Sequence, residues 1–224
     1  MIALGQVAAA FAQESGGDFN VYLNPRTLRV QAKAEDLFVR EEYQRAYTIY
    51  LNELAPIGDK YAQYMLGYMS LSGLGVEEDP VLASAWYRLA AERGEPEEFV
   101  RIRDDLLGSL DAPGRERSDQ VLLDLRREYS DIAISMREAR KEFENLSQVM
   151  TGTRLGDTSS AVTIVEPRAG NDLSVDELNY RIQRRMQRHL DNVTEKLGIE
   201  RIDAKTVTAA EIEALEASVR EHLL

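Results

Sequence analysis

Ala46-x-x-x-Tyr50 recurs 37 residues later as Ala83-x-x-x-Tyr87, and Gly58 recurs as Gly94 after 36. This repeat constrains the fold more than any other feature of the chain. A period in the mid-thirties holding two helical stretches per unit is the mark of an α-solenoid, in which no helix pair buries its apolar face alone and neighbours must stack. The helical stretches are legible from their apolar spacing. Leu28, Ala32, Leu37 and Phe38 mark the first. Tyr43, Ala46, Tyr47, Tyr50 and Leu54 mark the second, which stops near Pro56-Ile57-Gly58. Ala62, Met65, Leu66 and Met69 mark a third. Asp79-Pro80, an N-cap followed by proline at the first helical position, opens a fourth through Leu82, Ala83, Trp86, Leu89 and Ala90. Pro96 opens a fifth, with Phe99, Ile102 and Leu106 inward.

Within this pattern one unit is complete. Asp59-Lys60-Tyr61-Ala62-Gln63-Tyr64-Met65-Leu66-Gly67-Tyr68-Met69, Gly73-Leu74-Gly75-Val76, Asp79 and Ala83-Ser84-Ala85-Trp86-Tyr87-Arg88-Leu89-Ala90-Ala91-Glu92-Arg93-Gly94 resemble a Sel1-like repeat, a TPR-like helical repeat. Each element of the motif has a physical reason. Ala62, Ala83, Ala90 and Ala91 are small where helices cross closely, Gly73, Gly75 and Gly94 suit turns with positive φ, and Trp86 and Tyr87 fill the space between units. The resemblance extends less strictly over a preceding pair (27–58) and a degenerate following one. It implies a bacterial scaffold protein that organises complexes, often in the cell envelope.

Past the repeats, Leu122, Leu125, Tyr129, Ile132, Met136, Ala139, Phe143, Leu146 and Met150 alternate by three and four, a heptad seam over a long helix at 115–150. That stripe either packs on the chain's own helices or makes a homodimer. Residues 151–172 read as a linker with a short strand-like stretch at 161–165. Capping boxes at Ser174–Glu177 and Thr208–Glu211 open two further helices. The resulting expectation is an all-α chain: a short α-solenoid of antiparallel helix pairs, then a long helix and C-terminal helices. Its segments are a leader and linker (1–26), the repeat domain (27–112), the seam helix (113–150), a flexible linker (151–173) and the C-terminal helices (174–224).

Composition then narrows the chemistry. Cysteine is absent, which removes disulfides, thiolate metal sites and cysteine nucleophiles, and the only histidines are His189 and His222. No catalytic, cofactor-binding or metal-ligating set emerges. Some cysteine-rich relatives of the repeat family are associated with β-lactam hydrolysis, but their cysteines have no counterpart here and no Ser-x-x-Lys motif appears. A net charge of −12 argues against binding nucleic acid or an anionic membrane surface. No later stretch reaches the length of a membrane span. Met1 to Ala12 is apolar and ends in Ala10-Phe11-Ala12 before Gln13, as at a signal-peptidase site, though it lacks the usual leading Lys or Arg. A truncated export signal would make the protein periplasmic or secreted, and a plain Ala-rich helix would leave it cytoplasmic.

A protein or peptide partner is therefore the expected ligand, with self-assembly through 122–150 as the alternative. Two sets of residues are candidates for contact. Tyr61, Tyr64 and Tyr68 lie at i, i+3 and i+7, off the apolar side of their helix, either as an exposed binding edge or as packing against the preceding pair. Arg181 and Arg185, with Arg184 and Arg188, form a basic stripe in an acidic chain, either for an anionic partner or as a solvated face.

Overall fold

The computed structural model describes residues 24–94, 97–152, 164–165, 172–173 and 175–224. The apolar run at 1–12 and most of the 151–173 linker lie outside them. The fold is all-α and divides into two compact units, Met1–Asp131 and Ile132–Leu224.

In the first unit, helix α1 (Pro25–Val39) starts where the Asn24 side chain accepts the Arg26 N–H and proline takes the first position. Helix α2 (Tyr43–Ile49) runs on as a π-helical turn (Tyr50–Leu54) and a 3-10 turn (Ala55–Ile57). Pro56 lacks an N–H to continue the ladder, and Gly58 closes it in the left-handed region. Asp59 caps α3 (Lys60–Ser72) by accepting the Ala62 N–H at 3.0 Å. Asp79 caps α4 (Pro80–Ala90) by accepting the Val81 and Leu82 N–H groups, both at 2.9 Å. A 3-10 turn (Ala91–Arg93) then ends at Gly94. Helices α5 (Glu97–Ser109) and α6 (Ala112–Tyr129) follow, and both pack on α4.

The core of this unit is aromatic: Tyr50, Tyr61, Tyr64, Trp86, Tyr87 and Phe99 are all buried. Tyr50 and Tyr87, at equivalent repeat positions, are the inter-helix spacers that their recurrence predicts. Gly67 of α3 lies under the Tyr87 ring, where an added Cβ would come within 3.0 Å. The Ala83–Tyr87 face of α4 therefore approaches α3 closely.

The single helix expected over 115–150 is two helices. Ser130 takes an extended conformation (φ −71°, ψ 154°) between α6 and α7 (Asp131–Gly152). Ser130-Asp131 is itself a start signal, a small polar residue ahead of a carboxylate that favours the positive end of the new helix. The apolar seam is divided at that point. Leu122, Leu125 and Tyr129 pack on the core of the first unit, whereas Ile132, Met136, Ala139 and Leu146 are buried in the core of the second.

That second core is completed by α8 (Val175–Leu197) through Ile182, Met186, Leu190 and Val193, and by α9 (Ala209–His222) through Ile212, Leu215 and Val219. Thr208 and Glu211 form the full capping box that the sequence predicts for α9. Gln187 pins the connection between α8 and α9, donating to the Ile202 carbonyl at 2.9 Å and accepting the Ala204 N–H at 2.8 Å. Within the 151–173 stretch, Ile164–Val165 pairs antiparallel with Asp172–Leu173, a two-residue ladder that adds no layer.

Candidate functional site

The tyrosines of α3 are not an exposed edge. Tyr61 and Tyr64 are only 6% and 7% exposed, and Tyr68 is half-buried. Tyr64 stacks on Phe99, with ring centroids 4.4 Å apart and planes within 8° of parallel, and also meets Tyr87 at 5.3 Å. Tyr61 sets its edge against Tyr50 at 6.4 Å, and Tyr68 lies 6.2 Å from Phe38. Burial pushes the hydroxyl pKa of Tyr61 and Tyr64 upward. The cause is that α3 is buried on all sides, its buried positions running without a break from Lys60 to Gly67. The residues Ala62, Met65 and Leu66 face one set of neighbours and the tyrosines face another.

That same helix start carries a buried charge the sequence reading missed. Lys60, 1% exposed, holds its ammonium 3.2 Å from Gln63 Oε1, 3.2 Å from the Leu89 carbonyl, 3.3 Å from Asp131 Oδ1 and 3.4 Å from Glu92 Oε2. Arg93 grips Asp131 through two hydrogen bonds, Nε at 2.8 Å and Nη2 at 2.9 Å. Gln63 donates to the Tyr129 carbonyl at 3.0 Å. Burial pushes Lys60 below the ordinary amine range, against the pull of Asp131 and Glu92. For Asp131 burial acts upward, but the Arg93 hydrogen bonds and the Lys60 charge outweigh it and hold the carboxyl below its usual range. Beside them Asp59, fully buried, is pushed up by burial despite the Ala62 and Gln31 hydrogen bonds. With its ammonium enclosed by four oxygen acceptors, Lys60 fastens α3 to the turn after α4 and to the start of α7. The only sequence signal was an ionisable residue flanked by core positions on a helix with no polar side.

Beyond this network lies a cleft of about 340 Å³ between α4, α5 and α6, lined by Arg88, Leu89, Glu92, Arg103, Asp104, Leu107, Leu122 and Arg126. Leu107 and Leu122 give it a part-exposed apolar surface over buried Leu89, and its arginines form a rim. Arg88 donates to Asp119 at 2.7 Å, Arg103 donates to Asp104 at 2.8 Å, and Arg126 stands 3.7 Å from Glu92. Glu92 is shared, one oxygen facing Arg126 and the other Lys60, so the buried network fixes one wall of the cleft.

In the second unit the arginines of α8 divide. Arg185 turns to Glu142 of α7, a carboxylate that burial would raise but that Arg185 holds below its ordinary range. Arg181 pairs with Glu177 one turn back at 2.9 Å. Arg184 and Arg188 are exposed. Half-buried His189 is lowered by burial, with Arg188 and Arg185 adding to the effect and Glu138 and Glu142 opposing it. Among the described residues no group of three or more His, Asp or Glu stands ready for a metal ion, and no described helix is long and apolar enough to cross a membrane.

Chitin synthase regulatory factor 3 of Schizosaccharomyces pombe (strain 972 / ATCC 24843) is 35% identical over 66 residues, 28% of this chain. The chain spans only 7% of the length of that relative. No solved structure gives a significant match. The family model of the Sel1 repeat matches residues 60–95, the segment from the buried lysine through α3 and α4 to the closing turn. The chain carries a Sel1 repeat at residues 60–95, within the all-helical first unit.

Proposed function

We propose that this chain is a non-enzymatic adaptor that takes a segment of a partner protein in the cleft beside its Sel1 repeat. The observation that carries this reading is the pairing of an apolar surface with part-buried arginines whose own partners are weakly held. Asp119 and Asp104 are each 59% exposed at the side chain, so solvent screens both ion pairs and leaves them weak. Arg88 and Arg103 can therefore exchange those carboxylates for acceptors on a bound segment at small cost. Leu107 and Leu122, each part-exposed, offer the apolar contact that supplies most of the affinity at such surfaces. The relative's description as a regulatory factor supports a role without catalysis.

The test is crosslinked co-purification from the native host, comparing wild type with Arg103→Glu/Leu107→Glu shown by circular dichroism to stay folded. A discrete partner captured by wild type and lost in the variant supports the cleft. The same partner held equally by both proteins removes the cleft from the account.

A further inference from the structure

Tyr180, Arg184 and Arg188 follow one another at four-residue intervals on α8, so they form a single ridge about 12 Å long. Tyr180 is 56% exposed, and Arg184 and Arg188 are exposed with no hydrogen-bond or ion-pair partner among the described residues. Among the described residues of the second unit, no hydrogen bond or ion pair holds Arg184 or Arg188 in place. The neighbouring arginines are occupied, Arg181 by Glu177 and Arg185 by Glu142. Two like charges one helical turn apart repel each other, so the unpaired couple costs the isolated helix and gains nothing within it. An exposed aromatic next to unpaired arginines is the composition of an interface anchor.

The geometry points to a docking ridge for an acidic helix of a partner protein. Such a helix would carry two carboxylates one turn apart for Arg184 and Arg188, and an apolar side chain a further turn along for Tyr180. The surroundings set this choice. The ridge is bracketed on its own helix by Glu177 and by Asp191, whose carboxylate accepts from Gln187 and Arg201, both at 2.8 Å. A polyanion running beyond the ridge would meet those acids, in a chain whose net charge is −12. A short helix bearing only two carboxylates at the matching spacing does not. This ridge is separate from the cleft beside the repeat, and an adaptor needs two surfaces.

The probe is a fluorescein-labelled Ala-rich helical peptide with glutamates at i and i+4 and a leucine at i−4, titrated with the full chain and read by anisotropy. Glutamine replaces both glutamates in the control peptide. The expected result is saturable binding of the glutamate peptide only, weakening as salt rises, and reduced ~tenfold or more by Arg184→Glu/Arg188→Glu. Tyr180→Ala weakens it too, while the charge-matched Arg40→Glu/Arg127→Glu and the cleft variant Leu107→Glu leave it unchanged. Absence of binding, equal binding of the glutamine peptide, or equal loss in the charge-matched variant overturns the proposal. Tighter binding of single-stranded DNA or of phosphatidylserine vesicles through the same arginines overturns it in favour of a phosphate ligand. Loss in the Leu107→Glu variant would show that the cleft, not the ridge, took the peptide.

Discussion

Asp131 answers two cations and Lys60 answers two anions, yet the two residues are not equivalent. Without Lys60, Asp131 keeps both hydrogen bonds to Arg93. Without Asp131, Lys60 loses the nearer of these two carboxylates and keeps the more distant Glu92, while Arg93 loses both of its hydrogen bonds to Asp131. Uncompensated buried charge is what makes breaking such a network expensive. Asp131→Ala is accordingly expected to cost about 3–5 kcal/mol in urea unfolding, and Lys60→Met at most about 2 kcal/mol. The pH dependence carries the same sign. Asp131 is held below its ordinary range in the folded protein, so its contribution is fully present above about pH 3.9 and fades as pH falls through the lower folded value. The gap between wild type and Asp131→Ala should therefore close in acid. Equal losses from the two single variants would show that Arg93 does not support Asp131 as the distances imply.

Turns decide where the repeat's helices begin and end, and two glycines of the motif separate conformation from space. Gly75 and Gly94 both have positive φ, 75° and 78°. A Cβ at Gly75 would lie 2.5 Å from backbone atoms of Tyr43 and Gln44, whereas one at Gly94 would meet nothing within 4 Å among the described residues. Gly94→Ala should thus cost only the left-handed strain, about 1 kcal/mol, while Gly75→Ala adds a backbone collision and should lower stability by well over about 2 kcal/mol. Thermal melts of the two variants check this, and equal shifts would mean the loop moves aside freely. Such local signals were legible in the sequence. The caps at Asp79 and Thr208, the stop at Gly58 and the spacer role of Tyr50 and Tyr87 are all as their residue types imply. What was not legible depended on neighbours far along the chain. Tyr61 and Tyr64 could be read either as an exposed edge or as packing, because Ala62, Met65 and Leu66 already supplied a core face; Tyr50 of the preceding pair packs on Tyr61 as the second reading has it, and Phe99 on Tyr64. The break at Ser130 was hidden because the three-four alternation continues across it without a missed beat. Spacing alone does not report that Tyr129 and Ile132 serve different cores.

At the scale of the whole molecule, that division bears on self-assembly. A coiled-coil dimer through 122–150 needs one continuous apolar stripe free on one helix. Here Leu122 and Leu125 are spent on the aromatic core around Trp86, with Tyr129 5.2 Å from the indole ring. Met136, Ala139 and Leu146 are spent on the core shared with α8 and α9, and extended Ser130 ends one helix before the next begins. Light scattering is therefore expected to give 25.3 kDa, the mass of one chain. The informative variant is Met136→Lys/Phe143→Lys. In a seam dimer it would yield a folded monomer, because the lysines would face only the second copy. In this fold Met136 is 4% exposed and Phe143 packs on the same core, so the two charges enter the interior of the second unit. Burying unpaired charge costs several kcal/mol, on the order of the whole stability of a unit this size. Loss of helicity by circular dichroism without any change in the wild-type mass would confirm that the seam is internal. A wild-type mass of twice 25.3 kDa that falls to one chain in a folded variant would place it between copies instead.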